Sequence, residues 1–113
     1  VRRPAWLDAV EARLDTAAPP STTDLARELG LNPAWLAQAY RAAIGEGIGE
    51  TVRRKRVELA TSLLRGSDAP AAEIAVAAGF CDQSHMIRAF RSLIGRTPSQ
   101  VRAEWQAPKR RAR

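Results

Sequence analysis

The chain has little reactive chemistry to draw on: one cysteine, one histidine and one methionine. A lone cysteine closes no internal disulfide, and a four-ligand zinc site needs more thiols or imidazoles than these. No apolar run approaches the roughly 20 residues that span a bilayer, and no signal peptide is visible at the N-terminus. Carboxylates paired for acid–base work, a metal cluster and a phosphate-cradling loop are all missing, which makes an enzyme the weakest reading. No segment alternates in the manner of a strand. These absences lead to the expectation of an all-α, cytoplasmic protein without membrane, metal or cofactor. The first residue is Val rather than Met, which fits a piece of a longer chain.

What is present is positive charge. Eighteen Lys and Arg face twelve Asp and Glu, a net charge of +6, and most of the cations are arginines. A guanidinium fork matches phosphate and guanine better than an ammonium does. The balance favours a polyanionic partner, although charge alone does not separate DNA, RNA and an anionic membrane. With 45% hydrophobic residues, 113 residues suit one compact domain or two very small lobes sharing a helix.

Apolar residues at helical spacing mark about seven helices. WLDAVEARLDTA (6–17) places Trp6, Leu7, Val10 and Leu14 on one face. A short helix follows from about residue 23, with Thr22 or Thr23 as its cap and Gly30 at its exit. Asn32 caps the next helix and Pro33 takes its first position; Leu36, Tyr40 and Ile44 point inward. GETVRRKRVELATSLLR (49–65) is a longer helix spanning about 25 Å, with Val52, Leu59 and Leu63 on one face and Val57, Ala60 and Leu64 beside them. After Gly66, Ser67 and Pro70 come a short helix at about 71–78, one capped by Asp82 with Met86, Phe90 and Leu93 inward, and a last one from Pro98. PKRRAR (108–113) reads as a loose basic tail.

Two of these segments are copies of each other. LARELGLNPAWLAQAYRAAIG (25–45) aligns with IAVAAGFCDQSHMIRAFRSLIG (74–95), with one residue inserted at the turn. Leu25 faces Ile74, Gly30 faces Gly79, Leu36 faces Met86, Tyr40 faces Phe90 and Gly45 faces Gly95. Each copy is a short helix, a glycine turn and a capped helix, the pattern of a helix-turn-helix, whose second helix enters the DNA major groove.

The second copy with its continuation, EIAVAAGFCDQSHMIRAFRSLIGRTPSQVR (73–102), resembles the DNA-binding domain of the AraC/XylS family of bacterial transcription regulators. The first copy and RRKRVELATSLL match that family's first unit and linking helix, so the similarity covers roughly residues 21–105. The resemblance implies two helix-turn-helix subdomains joined by a central linker helix: a first lobe at 5–47, the linker at 48–65 and a second lobe at 66–107. It implies recognition helices at about 33–43 and 83–93 in successive major grooves of one bent duplex. It also implies a separate effector-binding or dimerisation domain and RNA polymerase as partners.

Candidate DNA-reading residues follow. On the second recognition helix, Gln83 suits adenine and Arg88 guanine, while Ile87 suits a thymine methyl; by family position Gln83, Ser84, His85 and Arg88 resemble the base-reading set. His85 has two readings, contact with DNA or cover for the core edge. Cys81 reads as a small buried hydrophobe. On the first recognition helix Trp35 and Gln38 are the base-contact candidates, with Ala34 and Ala37 leaving few polar readers. Backbone candidates are Arg41, Arg53, Arg54 and Arg91, with the helix starts at Thr22, Asn32 and Thr97 offering N–H groups to phosphate. Arg56 suits an ion pair with Glu58 or Glu28, and Trp6 and Trp105 suit closing the lobes. Two other classes compete: a low-specificity architectural nucleic-acid binder, and a helical module for an acidic protein partner.

Overall fold

A computed structural model of the chain describes residues 3–16 and 18–111, with 107–111 as backbone alone. Among these residues there are seven helices and no strand: α1 (Ala5–Leu14), α2 (Thr22–Leu29), α3 (Pro33–Ile44), α4 (Ile48–Gly66), α5 (Ala71–Ala77), α6 (Gln83–Ile94) and α7 (Pro98–Arg111). No helix among the described residues is long and apolar enough to cross a membrane. The chain divides into two compact units between Val52 and Arg53, inside α4.

The first unit packs Leu7, Val10 and Leu14 of α1 against Leu25 and Ala26 of α2, Leu36 and Tyr40 of α3 and Ile48 of α4. Burying a side chain such as Leu25 or Leu36 completely contributes about 1.5–3 kcal/mol relative to leaving it in water. Ala26 has no side chain beyond Cβ, which lets α2 lie close to its neighbours. Ser21, not a threonine, caps α2: its hydroxyl accepts the Asp24 N–H at 3.2 Å. Residues 21–23 are three hydroxyl residues in a row, and the register that buries Leu25 and Ala26 leaves Ser21 at the cap and Thr22 inside the first turn.

Glycine ends α2 because the chain must turn through the left-handed region there, where a Cβ costs about 1–2 kcal/mol. Gly30 has φ 69° and Gly79, its counterpart in the second unit, has φ 94°. The residue after each donates back into the helix, Leu31 N–H to Ala26 O at 2.8 Å and Phe80 N–H to Ala75 O at 2.9 Å. The two turns are the same structure built twice.

The second unit gathers Val57, Ala60 and Leu64 of α4, Ile74 and Ala75 of α5, Phe80 of the turn, Met86, Ala89 and Phe90 of α6, and Val101 of α7. Several side chains differ from their expected places. Leu59 is 44% exposed, because Val57, Ala60 and Leu64 occupy the buried face of α4. Leu93 is 40% exposed, and Ala89 takes the inward position instead. Cys81 is exposed rather than buried, since it stands in the turn just before the Asp82 cap, outside the core. The basic tail expected from residue 108 is, through Arg111, the end of α7; residues 112 and 113 lie outside the described residues.

Two polar devices secure the second unit. Thr97 and Gln100 cap α7 reciprocally: the Thr97 N–H donates to Gln100 Oε1 at 2.8 Å, and the Gln100 N–H donates to Thr97 Oγ1 at 3.2 Å. Arg102 of α7 donates to the carbonyls of Leu64, Ser67 and Ala69 at 3.3, 3.2 and 2.8 Å. Those carbonyls belong to the end of α4 and the turn after it, which otherwise lack helical partners.

Candidate nucleic-acid interface

The second helix of each copy carries the candidate site. In α6, Asp82 stands in extended conformation before the helix and its carboxylate accepts the His85 N–H at 2.8 Å. Met86, Ala89 and Phe90 are buried, which fixes the opposite side as the outer one. Ser84, Arg88 and Arg91 are exposed there, Ile87 is half-buried, and Gln83 is exposed at the N-terminal end of the helix, in line with Met86 and Phe90. From Ser84 to Arg91 this surface runs about 10 Å along the helix. None of Gln83, Ser84, Arg88 and Arg91 has a side-chain partner among the described residues, so their donors are free for a ligand.

His85 is held in the helix start. Its Nδ1 accepts the Cys81 N–H at 3.2 Å, and its ring meets the edge of Phe80 with centroids 5.2 Å apart. The neutral ring with an accepting Nδ1 carries its proton on Nε2. One edge of the half-buried ring thus covers Phe80 and the turn, which is the core-edge reading of His85, and Nε2–H is the donor left over.

In α3, Asn32 accepts the Trp35 N–H at 3.0 Å and Pro33 occupies the first helical position. Leu36 and Tyr40 are buried, and Ala34, Ala37 and Gln38 are exposed. Trp35 is 47% exposed and rests edge-on against Trp6 of α1, with centroids 5.3 Å apart. The outer side of α3 is therefore largely apolar, with Gln38 its one amide. Arg41, at the far end, forms an ion pair with Glu50 at 3.0 Å.

The backbone candidates divide by what already holds them. Arg53 and Arg91 are exposed without an ion pair among the described residues. Arg54 pairs with Glu58 at 2.9 Å, one turn on. Thr22 and Thr97 are half-buried, and the Thr97 side chain and Asn32 side chain are committed to capping. The pairing expected for Arg56 does not occur: Glu58 goes to Arg54 and Glu28 to Arg13, and Arg56 Nε is buried without a hydrogen bond. Trp6 is partly buried in the first core as expected, but Trp105 is 42% exposed and lies under the Arg65 guanidinium, 5.6 Å from its ring centroid. Sequence reasoning missed Glu50, Thr51 and Arg102. The signal for the first two was the repeat itself, which continues beyond Gly45 and Gly95 into the start of the next helix.

A helix-turn-helix domain family model matches residues 25–104. The chain is 36% identical over 101 residues to the HTH-type transcriptional regulator GlxA of Rhizobium meliloti, covering 88% of this chain and 31% of that protein. It is 30% identical over 98 residues to the regulatory protein SoxS of Escherichia coli, covering 87% of each. The DNA-binding domain of AdpA, a global transcriptional factor solved in complex with a target DNA, superposes with a TM-score of 0.85 at 22% identity, covering 96% of this chain and 98% of that one. At that identity the superposition speaks for the fold. The chain spans about a third of the length of the first curated relatives, 31% and 38%. By the extent of the family match and its agreement with the doubled helix-turn-helix, the chain belongs to the AraC-type helix-turn-helix family of transcription regulators.

Proposed function

We propose that this chain binds double-stranded DNA sequence-specifically, with α3 and α6 entering the major groove. The observation that carries this is the outer side of α6: Ser84, Arg88 and Arg91 stand free opposite a buried Met86–Ala89–Phe90 side, and Gln83 is exposed at the helix's N-terminal end. An amide and a guanidinium one to two turns apart on a capped helix suit adenine and guanine edges, each good bidentate pair supplying about 1–3 kcal/mol of discrimination. Gln83, Ser84 and Arg88 are the base readers of the second unit, with His85 Nε2–H and Ile87 at the margin. In the first unit Trp35 and Gln38 take that role, and the exposed Ala34 and Ala37 let the helix approach thymine methyls closely.

Phosphate contacts come from Arg53 and Arg91, with Arg54 exchanging Glu58 for phosphate, and from backbone N–H groups at the starts of α2, α3 and α7 near Thr22, Asn32 and Thr97. Such contacts place the protein on the duplex and make affinity fall with salt. By function, residues 5–47 and 66–107 are the two DNA-reading lobes and 48–65 their connector. The likeness to transcription regulators supports a binding module rather than an enzyme. It also supports a cytoplasmic location, and an effector-binding or dimerisation domain and RNA polymerase as further partners.

Selection of bound sequences from a randomised duplex pool tests this reading. Enrichment of a defined motif is the expected result. Equal affinity for unrelated duplexes is the mark of a low-specificity architectural binder, and no affinity for any duplex that of a module for an acidic protein; either outcome sinks the proposal.

A further inference from the structure

The duplication runs past the recognition helices, and the two copies differ there in charge. Continuing the alignment, Arg41 matches Arg91, Gly47 matches Thr97, Glu50 matches Gln100 and Thr51 matches Val101. Both segments open the following helix in the same way, with Thr51 N–H donating to Gly47 O and Val101 N–H to Thr97 O, each at 3.0 Å. In both, residue 50 or 100 reaches back to cap the preceding backbone: Glu50 Oε1 accepts the Gly47 N–H at 3.4 Å, and Gln100 Oε1 accepts the Thr97 N–H at 2.8 Å.

Only in the first unit does the capping group carry a charge, and there it also holds the arginine of the recognition helix. Arg41 Nη2 donates to Glu50 Oε1 at 3.0 Å. The guanidinium sits where a side chain at residue 47 would stand: a Cβ on Gly47 would lie 2.7 Å from Arg41 Nη2 and 3.2 Å from Glu50 Oε1. Thr97 has that Cβ, Gln100 has no charge, and Arg91 has no ion pair among the described residues. Gly47 and Glu50 together make a seat for the Arg41 guanidinium that the second unit lacks.

We propose that this seat withdraws Arg41 from phosphate, so that Glu50 sets the first unit as the electrostatically weaker reader and leaves Arg91 as the free cation of the pair. The proposal rests on the DNA-binding reading above. A seated guanidinium beside a carboxylate presents no net charge to a phosphate, so it releases no counterion on binding, whereas each free cation that meets phosphate adds about 0.9 to the slope of log K against log salt. Base readout through Trp35 and Gln38 is untouched by this arrangement; the seat biases the order and strength of contact, not the sequence read.

Glu50→Gln tests it, because glutamine is what the second unit carries and keeps an acceptor for the Gly47 N–H. Binding to a labelled duplex of mixed sequence is measured as a function of salt for wild type, Glu50→Gln, Arg41→Ala, Arg91→Ala and the Arg41→Ala/Glu50→Gln double variant, with circular dichroism confirming the fold. Expected are a slope steeper by about 0.9 for Glu50→Gln and binding tighter by roughly two- to five-fold at fixed salt, the range of an exposed ion pair. Both gains should vanish in the double variant. In the wild-type background Arg91→Ala should flatten the slope and Arg41→Ala should barely move it, a comparison that stands even if Glu50→Gln folds poorly. A double variant that binds tighter than wild type shows a general charge effect and overturns the proposal, as does an unchanged slope in Glu50→Gln or an equal flattening of the slope by Arg41→Ala and Arg91→Ala. A wild type that binds no duplex overturns the DNA-binding reading and this proposal together.

Discussion

The Tyr40 hydroxyl donates to Thr51 Oγ1 at 3.1 Å inside the first unit, and Thr51 in turn donates to Glu46 Oε1 at 2.8 Å. Tyr40 lies on the buried side of the first recognition helix and Thr51 in the first turn of α4, so the bond sets the rotation of one against the other. In the second unit Phe90 and Val101 hold the corresponding positions, both buried and both apolar. The same junction is thus made once with a hydrogen-bond chain and once with hydrocarbon.

That difference can be measured. Thr51→Val leaves the Tyr40 hydroxyl buried without its acceptor and should cost about 1–3 kcal/mol, whereas Tyr40→Phe should cost about 1 kcal/mol. The double variant, which copies the second unit, should cost less than the sum by at least about 0.5 kcal/mol. Urea unfolding of the four proteins gives the answer, and additive losses would contradict the coupling.

Gly79→Val should destabilise the second unit by about 1–2 kcal/mol or more, since φ is 94° there and a β-branched residue resists that conformation. A lowered thermal midpoint is the expected reading. An unchanged midpoint would show that the turn accepts a Cβ and would count against the helix-turn-helix geometry of residues 71–94.

Arg102→Ala should cost about 1.5–3 kcal/mol, the range for hydrogen bonds to a charged group, because three carbonyls lose their donor together. Amide exchange offers the finer test: protection should fall at the end of α4 and in the turn to α5. Protection lost evenly over the whole chain would speak against a local role.

Much of this architecture was legible from residue types at fixed offsets. Asn32 and Asp82 stand where a cap must stand, and Leu36, Tyr40, Met86 and Phe90 follow the helical period onto the core. Legibility failed where several residues satisfied the same rule. Ser21, Thr22 and Thr23 are all competent caps, and only the burial of Leu25 and Ala26 selects Ser21. Leu59 and Leu93 lie at the margin of an apolar stripe, and the smaller Ala60 and Ala89 fit the close helix crossings better than a leucine does. At the candidate site the free side of α6 was readable because polar residues oppose a clear apolar stripe. The hold of Glu50 on Arg41 was not, since it depends on a guanidinium filling the place of a missing Cβ at Gly47.

Arg88→Ala should lower discrimination at one or two base pairs by about 1–3 kcal/mol while weakening binding to unrelated DNA far less. Competition between an enriched duplex and its single-base variants measures this. Equal losses on enriched and random duplexes would remove Arg88 from the base-reading set.

The central claim, that two groove-entering helices read one duplex, is tested most directly by footprinting the chain on a duplex enriched from a random pool. Two separate protected segments are predicted, one of which should be lost when Gln83 and Arg88 are replaced by alanine while the other persists. A single protected segment, or protection spread evenly along the duplex, would contradict the account.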